Sequence, residues 1–301
     1  MLDISVIILV YNEENHIRRC LENISGIVQD VFVVDSFSQD NTVAIASSFS
    51  NVTILQNKWV NYAHQFNWAL QNAPIKTEWV LRLDADEYLT NELKKELEER
   101  LPSLSDEYTG IVLPLRRVFL GRTIKRGGTG HIKMLRIFQY GKAKSEVRMM
   151  DEHIELLEGK SIEFDSEFVD DNLNDISWWT QKHIGYAIRE AVDLLDMEYG
   201  LTGSADADEH INISEEALAK RKKKHKYAKQ PLFWRSFFYF CYRYFFKLGF
   251  LEGKEGFMWH FFQGWWYRTL VDAKIWEIKK ACGSDVNKMK DYLRTKYNIS
   301  V

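Results

Sequence analysis

Trp79-Val-Leu-Arg-Leu-Asp-Ala-Asp-Glu87 reads as a short, mostly apolar strand that runs directly into acid. Residues 79–83 suit a buried strand, and Asp84 and Asp86 follow at i and i+2. Side chains two apart at a strand end point to one side, so both carboxylates can face a single hard divalent cation. Upstream, the chain alternates short β-branched runs with helical patterns. Residues 4–10, 31–35 and 52–55 read as strands. Residues 13–24, with Ile17, Leu21 and Ile24 on one face, read as a helix. So do residues 41–49, with Asp40 as N-cap, and 61–71, with Ala63, Phe66 and Leu70 on one face. A charged helix is expected over 91–101. Strands alternating with helices of this length predict an α/β, mainly parallel, Rossmann-like sheet covered on both faces, with ligands at the carboxyl ends of the strands.

After Pro102 the rhythm changes. Residues 111–115 and 133–138 are expected strands, joined by a loop that carries Gly121, Gly127, Gly128 and Gly130. Residues 178–199 form the first long helix of a second region. The division expected is a catalytic domain over 1–170 and a helical, aromatic-rich extension over 171–301. Among 301 residues, 40 basic and 43 acidic side chains leave a formal charge of −3, which offers no field for nucleic acid. Three dispersed cysteines exclude a disulfide framework and a cysteine-based zinc site. The first ten residues lack the basic, long apolar pattern of a secretory signal.

Three expected strand ends carry polar chemistry: Tyr11-Asn12-Glu13-Glu14, Asp35-Ser36, and Asp84-Ala85-Asp86-Glu87. Neither G-x-G-x-x-G nor G-x-x-x-x-G-K-[ST] is present, which disfavours a dinucleotide cofactor and excludes an ordinary P-loop. An acidic crevice of this type needs a metal to hold a diphosphate, and Mg2+ or Mn2+ accept one or two carboxylates with phosphate oxygens completing the shell. D-x-D alone is weak, since about one is expected by chance in such a chain. Asp206-Ala207-Asp208 is a second example, in a polar stretch. The position of Asp84 and Asp86 after a strand sets them apart.

Ser5-Val-Ile-Ile-Leu-Val-Tyr-Asn-Glu-Glu14, Val33-Val-Asp-Ser36 with Asp40-Asn-Thr42, and Leu83-Asp-Ala-Asp-Glu87 resemble the family 2 glycosyltransferases of GT-A fold. Tyr62-Ala-His-Gln-Phe-Asn-Trp-Ala-Leu70 resembles the stretch before the D-x-D in that family. Phe119-Leu-Gly-Arg122 through Leu135-Arg136-Ile-Phe138 is similar to bacterial members that build cell-surface polysaccharide or lipopolysaccharide. The resemblance covers about the first 155 residues. It implies inverting transfer from a nucleotide-diphospho-sugar, with UDP as the first choice and Mn2+ or Mg2+ as cofactor. It implies base and ribose contacts from Tyr11, Glu13 and Asp35, a place for Asp84 near ribose and metal-bound water, and Asp86 as the direct metal ligand. Two departures stand out. Asp35-Ser36-Phe37 replaces the two aspartates and glycine common there, and Phe66 stands where relatives often carry arginine. Arg82, Arg126 or Arg136 are the alternatives for the diphosphate, and Gln65 and Asn67 are within expected reach of the donor sugar.

Inversion by single displacement needs a base on the acceptor side. Asp151-Glu152-His153 resembles the family's Glu-Asp motif with the acids exchanged, which implies Glu152 as base and Asp151 as its orienting or acceptor-binding partner. His153 is placed to help bind metal or diphosphate. Asp170 and Asp171 are rival bases or a third metal ligand. His183 is expected to pack among aromatics, and His16 to be solvated on the first helix.

Forty-two residues are aromatic, and eighteen of them fall between residues 233 and 267. Seven cations precede them in residues 220–229. Within residues 232–251, Arg235, Arg243 and Lys247 fall at about 0°, 80° and 120° on a helical wheel. A spanning helix would bury that sector in lipid, so the segment is expected to lie in a membrane interface instead. Packing of these aromatics against the core or a partner subunit is the competing expectation. The combined expectation is a peripheral enzyme at the cytoplasmic side of the plasma membrane, meeting an anionic surface and a lipid-linked glycan acceptor. The alternatives are a soluble glycosyltransferase with a free or peptide acceptor, and a non-catalytic scaffold retaining the fold.

Overall fold

The computed structural model describes residues 1–130, 132–146, 153–202 and 226–301, which form two compact units, Met1–Asn174 and Asp175–Val301. Asp151, Glu152, residues 220–224 and the second D-x-D lie outside the described residues.

The first unit begins β1 (Leu2–Val10), α1 (Ile17–Ile24), β2 (Val28–Asp35), α2 (Thr42–Ala46), β3 (Val52–Gln56), α3 (Tyr62–Asn72) and β4 (Trp79–Arg82). It continues through β5 (Glu87–Leu89), α4 (Asn91–Arg100), β6 (Tyr108–Phe119), β7 (Arg122–Thr123), β8 (Lys133–Gln139), β9 (Ala143–Ser145), β10 (Ile154–Leu156), β11 (Lys160–Glu163) and β12 (Phe168–Asp171). Among the described residues the main sheet runs β3-β2-β1-β4-β8-β6-β12-β5, and β9 pairs with β10 apart from it.

The first half of this order is parallel, because α1 and α3 supply the crossovers that parallel pairing requires. From β8 onward the pairing is mixed. β8 is antiparallel to both β4 and β6, while β12 is parallel to β6 and antiparallel to β5. Among the described residues no crossover helix stands between β6 and β8, and the chain returns antiparallel there.

β1 shows why the sheet is covered on both faces. Ile4, Val6, Ile8 and Val10 enter one core with Ile17, Leu21 and Ile24 of α1 and Leu93 and Leu97 of α4. Ile7 enters the opposite core with Phe66 and Ala69 of α3 and with Phe138 of β8. A fully buried side chain of this size contributes roughly 1.5–3 kcal/mol.

α1 starts at Ile17, four residues later than the sequence predicts. The N–H groups of Asn12, Glu13 and Glu14 donate to the side chains of Ser38, Thr42 and Asp40, so these residues are held as a loop. α2 ends at Ala46, shorter than expected.

The second unit contains α5 (Ile176–Tyr199), α6 (Trp234–Cys241), α7 (Gly253–Phe261), α8 (Tyr267–Cys282) and α9 (Val286–Tyr297). Wide π-turns, Tyr242–Phe246 and Phe262–Trp266, follow α6 and α7. Among the described residues no helix is long and apolar enough to cross a membrane. His183 packs as expected: its ring stacks on Trp179 at 3.4 Å and meets Tyr186 and Tyr267 edge-on.

Candidate functional site

The registers Val10↔Asp35 and Ile7↔Arg82 set the carboxyl ends of β1, β2 and β4 at one edge of the sheet. The loops after β1 and β2 are stitched together there. Asn12 accepts from Gln39 N–H at 2.8 Å, and the Glu14 carboxylate accepts from both the backbone and side-chain amides of Asn41. Asn12 and Phe37 take left-handed backbone conformations, at φ 56° and 65°. Tyr11 and Phe37 are consequently exposed at the strand ends.

Asp35 is fully buried. Its carboxylate accepts from Ser38 N–H at 3.0 Å and from the Gln56 amide at 3.1 Å, which anchors the loop after β2 to β3. Gln65 is also buried, donating to Ser36 and accepting from Asn57. Asn67 uses both ends of its amide on the Ser145 backbone, each at 2.8 Å, and so seats β9 against α3.

Asp84 and Asp86 are partly exposed at a turn closed by Glu87 N–H donating to the Asp84 carbonyl at 2.9 Å. The buried Glu87 carboxylate accepts from Asp84 N–H at 2.9 Å and from the Arg136 guanidinium at 2.6 Å. Arg136 is itself buried, 3.7 Å from the Asp84 carboxylate and over the ring of Phe168. Arg82 is buried over Phe66, whereas Arg126 is exposed in the glycine-bearing loop before β8.

β12 completes the cluster. Its antiparallel register with β5 places Asp170 opposite Glu87, and Asp171 N–H donates to the Asp86 carbonyl at 3.1 Å. Arg117 pairs with Asp170 at 2.8 Å. Arg19 of α1 clasps the junction, pairing with the Asp171 carboxylate at 2.7 Å while donating to the backbone carbonyls of Asp86 and Asp171. Asn172 donates to the Asp86 carboxylate at 2.8 Å. The expectation of a solvated His16 is corrected. His16 is buried; its Nε2 accepts from Leu173 N–H at 2.9 Å, which places the ring proton on Nδ1, 2.7 Å from the Glu13 carboxylate. The ring thereby pins the chain just after β12 to the loop after β1.

Five carboxylates (Asp84, Asp86, Glu87, Asp170, Asp171) thus meet three guanidinium groups, an excess of negative charge. Neighbouring groups register it. Burial pushes the Cys20 thiol well above its ordinary range, and Glu87, Asp86 and Asp84 push it further. Burial raises the Glu87 and Asp170 carboxyls in turn, with Asp84 and Asp86 adding to the rise against the pull of Arg136 and Arg117. Among the described residues Asp86 makes no ion pair; its partner is the neutral Asn172 amide.

These features fit a hard divalent cation held by Asp84 and Asp86. Among the described residues no group of three or more Asp, Glu, His and Cys forms a complete cage.

The sequence reading singled out Asp84, Asp86, Asp170, Asp171 and Arg136, and the structure gathers all five. It missed Arg19, Asn172 and the tethering role of His16. Only the pairing of β12 with β5 brings those within reach, and four residues of β12 carry no strong periodic signal.

The family model described as Glycosyl transferase family 2 matches residues 5–155. An uncharacterized glycosyltransferase of Rickettsia felis is 39% identical over 98 residues, 33% of this chain and 34% of that protein. The lipopolysaccharide core biosynthesis glycosyltransferase LpsC of Rhizobium meliloti is 28% identical over 150 residues, 48% of this chain and 54% of that protein. The chain therefore spans between about a third and about half of the length of these two relatives. Among solved structures, the mannosyltransferase PcManGT from Pyrobaculum calidifontis in complex with GDP-Man and Mn2+ is similar at 15% identity and a TM-score of 0.44, covering 91% of this chain and 87% of that one.

Proposed function

The chain belongs to glycosyl transferase family 2, and from that premise we propose that it moves a sugar from a nucleotide-diphospho-sugar, first choice a UDP-sugar, with inversion, to a lipid-linked glycan in surface polysaccharide biosynthesis. The observation that carries the reading is the carboxylate-rich edge after β4, where Asp86 lacks a cationic partner among the described residues. Asp86 would hold Mn2+ or Mg2+ directly and Asp84 would share it or reach it through water. Bound there, the cation neutralises charge on the departing nucleoside diphosphate.

The residues of the chain divide the remaining work. Tyr11, exposed beside the loop after β2, and Glu13 meet the nucleoside. Asp35 shapes that loop through Ser38 and Gln56. Arg126, exposed in the glycine-bearing loop, would meet the diphosphate, while Arg82 and Arg136 act from buried positions. Arg136 balances Glu87 and Asp84 and so fixes the turn that presents the acid pair. Asn67 acts on the donor side through the strand that it seats. Glu152 takes the acceptor hydroxyl's proton and Asp151 orients it, an assignment that rests on motif resemblance. A lipid-linked acceptor places the reaction at the cytoplasmic face of the plasma membrane. That setting raises the local concentration of acceptor around a docked enzyme.

Calorimetric titration of UDP with and without Mn2+ tests the donor reading. Binding that requires Mn2+ and disappears in Asp86→Ala, with the fold intact by circular dichroism, is the expected result. Absence of binding under both conditions favours a scaffold that keeps the fold. Glu152→Gln is expected to abolish transfer while preserving UDP binding.

A further inference from the structure

α6 and the π-turn after it bury their charges and expose their rings. Arg235 is 2% exposed, paired with buried Asp272, and Arg243 is 7% exposed. The aromatic side of the same segment faces solvent: Trp234 is 61% exposed and Phe246 78%, with Phe238, Tyr242, Phe245 and Phe250 also exposed. The helical wheel puts the two arginines on one side with Lys247, and the structure shows that both arginines are covered. Only Lys247 of that charged sector is exposed. Four of these exposed rings, Trp234, Phe238, Phe245 and Phe250, belong to one contact network. Trp234 stacks on Phe238, and Tyr244 touches both Phe245 and Phe250. Phe237, Trp265 and Phe240 join the two groups from beneath.

We propose that this outward aromatic face is a docking surface for an anionic lipid bilayer, seated in its headgroup region and not spanning it. Charge decides between lipid and the other occupants. Across described residues 226–257 the exposed charged side chains are Lys226, Lys229, Lys247 and Lys254, against one buried carboxylate, Glu252, and one partly exposed, Glu255. In sequence, five further cations lie immediately before it, at residues 220–224. A second copy would set lysine against lysine across a two-fold axis. A bilayer instead offers phosphate groups to the lysines and an apolar layer to the rings, the pairing that interfacial helices use. Trp and Tyr, apolar with one polar end, suit that depth.

The proposal deepens the lipid-borne acceptor reading, and its test is separable from it. The full-length protein is sedimented with vesicles of phosphatidylcholine containing phosphatidylglycerol, and with phosphatidylcholine alone. Expected is binding to the anionic vesicles that weakens with salt, and a drop of at least about tenfold in Trp234→Ser/Phe246→Ser. Phe246→Ser alone, the most exposed position, serves if the double variant unfolds. Trp276→Ser, exposed elsewhere on α8, should bind as the wild type does. Asp86→Ala should also bind vesicles fully, and a wild-type protein that docks on vesicles but fails to bind UDP with Mn2+ would count against the catalytic reading alone. Failure of the wild type to sediment, or undiminished sedimentation of the aromatic variants, overturns the docking surface. So does a lipid-free dimer that the aromatic substitutions dissolve.

Discussion

Arg136→Met tests whether the acid turn after β4 is held by a single buried cation. The guanidinium lies 2.6 Å from Glu87 and 3.7 Å from Asp84, and the side chains of Arg136 and Glu87 are 5% and 3% exposed. At about 4 Å and an effective dielectric near 20, one such pairing is worth about 4 kcal/mol before desolvation is counted. Removing one member of a buried pair leaves the other charged and unpaired, at a cost of about 3–5 kcal/mol. Here burial, Asp84, Asp170 and Asp86 already oppose the ionisation of Glu87, so without Arg136 it takes up a proton, which holds the cost to the lower end of that range. Glu87→Gln should cost less, roughly 1 kcal/mol, because the amide oxygen can still accept from Asp84 N–H and one crowded charge is gone. The double variant should fall short of the sum of the two by about 2 kcal/mol or more. Native-state hydrogen exchange of the β4 and β8 amides in a urea series reads this out for the first unit alone. A cost below about 1 kcal/mol for Arg136→Met, or strict additivity in the double variant, would refute the reasoning.

Two pH dependences follow from the second unit. His260 is fully buried, neither ring nitrogen has a hydrogen-bond partner among the described residues, and burial together with the Arg243 charge pushes its pKa down from 6.5 to about 4. The unfolded chain then takes up the proton first, so stability is complete above about pH 6.5 and falls by roughly 3 kcal/mol on the way to pH 4. His260→Asn should flatten that slope in urea titrations, and an unchanged slope would remove His260 as its source. Glu277 joins α8 to α9: the Lys296 ammonium holds its pKa near 2, helped by Lys274 and Tyr292 and opposed by burial. A depressed carboxyl stabilises above its unfolded value of about 4.5 and loses that contribution as pH falls toward 2. Glu277 is a third exposed, so screening limits the effect to about 1 kcal/mol. Glu277→Gln should lose that stability at pH 6 and match the wild type near pH 2, as followed by exchange of the α9 amides. Equal stability at pH 6 would mean that the cluster contributes nothing.

The sequence alone was enough for the parallel half of the sheet, because its signals are local. Runs rich in β-branched residues mark β1 to β3, a short apolar run marks β4, and helical spacing marks α1 and α3, within a few residues of their ends. The acid pair Asp84 and Asp86 was legible for the same reason: its position after a strand is written in adjacent residues. Of the mixed half only β6 and β8 were legible, as the apolar runs at 111–115 and 133–138. β5, β9, β10, β11 and β12 are three or four residues each, too short for periodicity to separate strand from loop. Their identity comes from partners far along the chain, as when Asp170 finds Glu87. Arg19 and Asn172 had no mark in the sequence, since their roles exist only once α1 and β12 meet at the acid turn. In the aromatic segment, composition announced an unusual surface but its orientation was a tertiary result. A helical wheel places Arg235 and Arg243 on one side without saying which side is covered. Asp272, thirty-seven residues away, turns Arg235 inward by supplying a buried counter-charge, and so turns the rings outward. Spacing along the chain determines which residues can share a face, and only the packing of distant partners determines which face meets solvent.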